Sequence, residues 1–145
     1  MLNVATITAA LHAQLVAALG STYQVERAEY INDDPSRCPW VGVYRGGLQL
    51  DPQTLGRGSN RWRAQVDLKV VVQAESIDDG AQAEDNLQAY EKAVLAAIDA
   101  DTTIGGTVQS VIAYSIDYDY VRDERSSVYF QAAIITVTAI TKTGG

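Results

Sequence analysis

AQAEDNLQAYEKAVLAAIDA, residues Ala81 to Ala100, is the stretch whose reading decides the fold, because it is the one long uninterrupted amphipathic helix pattern in the chain. Ala83, Leu87, Tyr90, Val94 and Ile98 recur at spacings of four, three, four and four, with Leu95 widening the stripe. Asp85, Gln88, Lys92 and Asp99 fall on the other side. Ser76, Asp78 and Asp79 offer capping oxygens and negative charge at the start, and the run from Asp101 to Gly106, with two glycines, stops the helix. Burying six such side chains is worth on the order of 10 kcal/mol, an upper bound because an unfolded chain is already partly collapsed. Something must cover that face. The flanking segments, Arg61 to Ala74 and Thr107 to Val121, both alternate as long strands, so the simplest arrangement is a sheet with this helix laid across one face.

Working outward, Val4, Ile7, Leu11, Leu15, Ala18 and Leu19 place a second, shorter helix at the start, with Thr6 or Thr8 as expected N-cap and Gly20 as the stop. Tyr23 to Tyr30 alternates as a strand, and the turn-rich Asn32 to Pro39 closes it. Trp40 to Arg45 reads as another short strand. A Gly46-Gly47 turn is expected next, then a long loop from Leu48 to Asn60 forming a projecting arm over about 46–61. In Trp62 to Ala74, Val66, Leu68, Val70 and Val72 point inward, Asp67, Lys69 and Gln73 outward, and Val71 is out of place. Val108, Ser110, Ile112, Tyr114, Ile116, Tyr118 and Tyr120 line one face of the next strand, with Asp117 and Asp119 opposite. Arg122 to Ser127 is a charged turn, and Val128 to Thr141 is apolar on both sides in its middle, which marks a central strand; Thr143 to Gly145 should fray. The fold class expected is α+β: a mainly antiparallel, mixed sheet of about five strands, two helices packed on it, and a long loop or hairpin arm. Val71, Ile135 and Val137 lie off the main stripes, so cover from a neighbouring subunit is expected for them.

With 145 residues, 47% of them hydrophobic, the chain is expected to form one domain over 1–145. It contains no apolar run long enough for a membrane span and no signal-peptide pattern, which points to a soluble protein of the cytosol. One cysteine, Cys38, excludes an internal disulfide. The net charge of −7 is uneven. Residues 1–74 carry seven basic and six acidic side chains, residues 75–145 four and twelve. A surface of that sign repels phosphate, and the basic excess sits between Arg45 and Lys69.

No constellation for catalysis or for a cofactor or metal emerges. His12, the only histidine, lies in a helical pattern with no acidic residue three or four positions away, and a general base needs a partner to orient its ring. Cys38 has no base near it in sequence. The Asp33-Asp34 and Asp78-Asp79 pairs sit where turns and helix starts favour aspartate for its own sake. Arg57, Arg61 and Arg63, interleaved with Asn60 and Trp62, suit a protein contact better than nucleic acid on so acidic a chain. Asp117 and Asp119 form an acidic row backed by an aromatic one.

The helix Ala81 to Ala100 with the following Asp101-Thr-Thr-Ile-Gly-Gly106, the strand through Ile112 to Asp119, and the closing strand Val128 to Thr141 after a charged turn together resemble the tail terminator (tail completion) proteins of long-tailed bacteriophages. The resemblance implies a structural virion protein without catalytic residues or cofactor. Its subunits would form a homo-hexameric ring on the last ring of the tail tube, end tube polymerisation and make the joint to the head connector. Its partners would be the tail tube protein and a head completion or connector protein, with DNA passing through unheld and no membrane involved. Its place would be the head-tail junction of the virion, and the host cytoplasm during assembly. On that view Leu48, Leu50, Leu55, Arg57, Arg61 and Arg63 belong to a partner-binding arm. Asp117, Asp119, Asp123 and Glu124 rank first as channel-lining acids, with Asp78, Asp79, Glu84 and Asp85 behind them. Another phage joint or tube protein, or a small α+β ligand-binding domain, is the alternative.

Overall fold

The computed structural model describes residues 3–27, 38–52, 62–76, 80–123 and 128–143. Seven elements follow one another: α1 (Val4–Leu19), β1 (Gln24–Arg27), β2 (Trp40–Pro52), β3 (Trp62–Ser76), α2 (Gly80–Asp99), β4 (Ser110–Asp123) and β5 (Val128–Thr143). The five strands form one sheet in the order β1-β2-β3-β5-β4. β1 runs parallel to β2 and every other pair is antiparallel, so the sheet is mixed and the fold α+β. β5 lies between β3 and β4, which is why both its faces are apolar: Ala132, Ala133, Ile135 and Val137 have no exposed surface. Thr143 is held in register opposite Trp62, so the strand outlasts the expected fraying point.

Both helices pack on one face of this sheet. Ile7, Leu11 and Leu15 of α1 and Leu87, Val94 and Ile98 of α2 enclose Val41 and Val43 of β2, Val66 to Val72 of β3 at alternate positions, and Ile135 and Val137 of β5. The stripe on α2 holds as expected, and the T-shaped contact of Tyr23 with Tyr90, at 5.4 Å between ring centres, ties the start of β1 to it. On α1 the cap is Asn3, whose Oδ1 accepts from the Thr6 amide, rather than Thr6 or Thr8. The helix begins a turn earlier than the threonines suggest, and Thr8 instead turns its hydroxyl back to the Val4 carbonyl. Gly20 does end the helix, while Ala18 faces solvent. Gln14 joins the two helices: its Nε2 donates to the carbonyls of Ala97, Ile98 and Asp101, at and just beyond the C-terminus of α2.

Asp101 then organises the stop. Its Oδ1 accepts from the Thr103 amide and hydroxyl and its Oδ2 from the Gly105 amide. Those bonds hold the carboxyl below its ordinary pKa of 3.8. Gly105 and Gly106 sit at φ 64° and 79°, and Ile104 accepts φ 48° with its side chain wholly buried.

Three expectations give way here. Gly46-Gly47 is not a turn, and Leu48 to Pro52 is not loop: β2 continues to Pro52, paired with Trp62. Between Arg45 opposite Leu68 and Leu48 opposite Val66 the strand takes three steps against two, a β-bulge. A Cβ on Gly46 would lie 2.8 Å from the Asp67 carbonyl oxygen, so glycine serves the bulge rather than a reversal. β4 carries a second bulge, with Val111 opposite Ala139 and Ala113 opposite Thr138. Ile112 is the extra residue and turns outward, 50% exposed, while Val111 takes the inner position assigned to it. Finally, Val71, Ile135 and Val137 need no neighbouring subunit: Ile135 and Val137 lie under the helices, and Val71 is buried beside Trp40 and Ala132 on the opposite face.

Candidate functional surfaces

The face opposite the helices has its own small core. Trp40 is fully buried there with Val71 and Ala132, flanked by Cys38, Tyr44 and Ile134. The indole lies over Gly42, where a Cβ would come within 2.4 Å of Cη2, and its Nε1 donates to Glu26 Oε2 at 3.0 Å. Gln73, expected outside, is also buried here, in line with Trp40 and Ala132 through the strand register. Farther along the same face the surface becomes polar: Lys69 Nζ donates to Thr136 Oγ1 at 2.6 Å, and Thr138 Oγ1 to Asp67 Oδ1 at 3.0 Å. Cys38 is half-buried at the rim of the Trp40 cluster.

Asp117 and Asp119 stand exposed on this face, opposite Ile134 and Ala132 in register. They lie on β4, the last strand of the sheet, which has no described strand on its outer side. Asp123 pairs through its backbone with Val128. Asp78, Asp79 and Glu124 lie outside the described residues.

The β2–β3 hairpin provides the second surface. Leu48 and Leu50 pair with buried Val66 and Ala64, so they point to the helix side of the sheet. They are nevertheless 46% and 45% exposed, so neither helix covers them. Arg45 is exposed beside them, and Arg63 is placed by its backbone opposite Asp51. Leu55, Arg57 and Arg61 fall outside the described residues.

The third surface is one that the helical pattern hid. Glu91 of α2 is only 6% exposed, one turn on from Leu87 and one turn before Val94 on the inward stripe. Its carboxyl takes a hydrogen bond from Tyr118, yet Oε1 is buried with no partner. Burial pushes the carboxyl pKa up, and the Tyr118 bond pulls the other way. Glu91 lines a cleft of about 240 Å³ with Glu84, Asp85, Leu87, Gln88, Tyr118 and Gln131. Tyr118 is 54% exposed, while farther down β4 Tyr114 packs against the core and donates to Asp99. Burial and the Asp99 carboxylate raise the Tyr114 phenol well above its usual range. The signal for Glu91 was present in its spacing, since 87, 91, 94 and 98 share one helical face. His12, on α1, is half-buried. Among the described residues no group of three His, Cys, Asp or Glu side chains is placed to hold a metal ion, and no helix is long and apolar enough to cross a membrane.

No protein-family model matches the chain, and neither does any curated protein sequence. Solved structures do. One is a chain from the virion of a native gene transfer agent particle, 15% identical, with 92% of this chain and 93% of that one covered at a TM-score of 0.37. Another is the sheath/tube terminator of an extracellular contractile injection system in the extended state, also 15% identical, with 99% of this chain covered at a TM-score of 0.42. The chain spans 57% of that terminator's length.

Proposed function

We propose that the chain is a tail terminator protein, a structural subunit of a sixfold ring that caps a tail tube, ends its polymerisation and forms the joint through which DNA leaves the head. The observation that carries this reading is the hairpin. Leu48 and Leu50 keep the inward side of a regular strand while remaining nearly half exposed, a cost in wet apolar surface that assembly removes. At the far side of the same sheet β4 presents an edge with no described strand beside it. A hairpin at one side and an edge at the other suit head-to-tail contacts, which close into a ring when the rotation allows. The role assigned is structural and involves no chemical step.

Asp117 and Asp119 are the residues we assign to the lumen, with Asp123 on the same strand and Glu124 next to it in sequence. Both described carboxylates are exposed, and none of the chain's basic excess lies on β4 before them. An acidic wall gives a passing duplex no phosphate contact to hold and no counterions to release, so it slides. The test is Asp117→Lys with Asp119→Lys in assembled particles. Imaging should show a sixfold ring at the tube end, and ejection should slow and recover as salt is raised. A twofold or unsymmetric arrangement of this chain removes the ring, and unchanged ejection removes these two residues from the lumen.

A further inference from the structure

The cleft between α2 and the β4–β5 end of the sheet has a composition that packing alone does not account for. Glu84 and Asp85 stand exposed at its rim, Gln88 beside them, and Glu91 lies within, almost fully buried with one carboxylate oxygen unpartnered. A helix that only needed to cover the sheet would place an apolar residue at 91, as it does at 87, 94 and 98. A buried carboxylate oxygen without a donor is costly, and the cost is relieved when a cation with directed N–H groups arrives. The carboxylates do not converge as metal ligands among the described residues. Gln88, Gln131 and Tyr118 line the cleft with them and carry further acceptor oxygens, a set of acceptors that suits a group with several donors better than a point charge.

We infer that this cleft is the receptor for a guanidinium side chain supplied by a second copy of this chain. The copy is favoured as the source because the chain carries the complementary charge itself. Between residues 45 and 69 stand Arg45, Arg57, Arg61, Arg63 and Lys69 against only Asp51 and Asp67, while the described lining of the cleft contributes three carboxylates and no basic residue. Arg45 is exposed on the hairpin that also presents Leu48 and Leu50. The outer edge of β4, which carries Tyr118, adjoins the cleft, so a neighbour arriving there meets both. The choice of a second copy rests on the head-to-tail assembly proposed above; the affinity of the cleft for a guanidinium does not.

Two measurements keep these apart. In the first, ethylguanidinium chloride is titrated into the single chain at fixed ionic strength while amide NMR shifts are followed. Saturable shifts at Glu84 to Glu91, Tyr118 and Gln131 are expected, weakened at least about tenfold in Glu91→Gln. Shifts no larger than those from sodium chloride, or shifts that persist unchanged in Glu91→Gln, overturn the site. In the second, Glu84→Lys/Asp85→Lys and Arg45→Glu/Arg63→Glu chains are tested on tube ends, apart and mixed. Each alone should fail to assemble, and the mixture should recover. If each alone assembles as the wild type does, or the wild type itself never associates, the second copy is not the occupant, and the titration still decides whether the cleft takes a guanidinium. Rings of another symmetry would refute the sixfold reading without touching either result.

Discussion

Replacing Gly42 by alanine puts a sign as well as a size on the role of Trp40. In an ordinary strand the change stabilises by about 0.5–1 kcal/mol, because glycine loses more backbone freedom on folding than alanine. Here the added Cβ would sit 2.4, 2.7 and 3.2 Å from Cη2, Cζ3 and Cζ2 of an indole that has no exposed surface. Such overlap cannot be absorbed by a flexible chain end, because the ring is packed against Val71 and Ala132 and tied by its Nε1 to Glu26. Either the strand shifts, at the 1–3 kcal/mol typical of overpacking, or the indole leaves, approaching the roughly 3–5 kcal/mol of losing a buried tryptophan. We expect a destabilisation of about 2–4 kcal/mol, which for a chain of this size lowers the melting temperature by roughly 6–15 °C. Circular dichroism melts measure it, and in a Trp62→Phe background the emission of Trp40 should move to the red as the ring meets water. Repeating Gly42→Ala in Trp40→Leu separates the causes, since with no indole overhead the penalty should vanish. A neutral or stabilising Gly42→Ala, or a penalty of equal size without the tryptophan, would refute the steric account.

Asp101→Asn should destabilise the chain at neutral pH. The hydrogen bonds lower the folded carboxyl below 3.8, so its contribution is present above that value and lost as pH falls through the folded pKa; chemical denaturation of the two proteins should converge at acid pH. Glu91→Gln should do the reverse. Its folded pKa is raised above 4.5, so the penalty is absent below that pH and grows as pH rises through the folded value. The variant should therefore be the more stable at pH 7 and lose that advantage toward pH 4.5, and equal stability throughout would argue that the carboxylate is solvated after all. Leu48→Ser with Leu50→Ser should shift the melting temperature by no more than a few degrees, since both side chains are already half in water. Joining of heads to tails should nevertheless fail, and normal yields of infectious particles would count against the hairpin as an interface.

Much of the architecture follows from local pattern alone, because the apolar stripe of Leu87, Val94 and Ile98 and the alternation of Val66 to Val72 each state a period that only one element type satisfies. The centrality of β5 is of the same kind: Ala132 to Val137 is apolar on both sides, and only a strand with a neighbour on each edge and cover on each face needs that. Four matters were decided by tertiary structure. Gly46-Gly47 became a bulge rather than a turn because β3 offered pairing partners for Leu48 to Pro52, and a glycine pair does not reveal whether the next residues have a strand beside them. The same holds for Ile112, whose outward turn depends on a register slip against β5. Val71 looked like apolar surplus in need of a neighbour, yet on the far face of the sheet it is buried beside Trp40, whose indole lies over Gly42, a clearance visible only once the fold is formed. Glu91 was charged and therefore assigned to no face, although its spacing put it on the inward one. Spacing sets where a side chain points, but whether a carboxylate pointing inward meets solvent, a donor or a cleft is set by what the fold places opposite it, here Tyr118 and Gln131 from strands 27 and 40 residues farther along the chain.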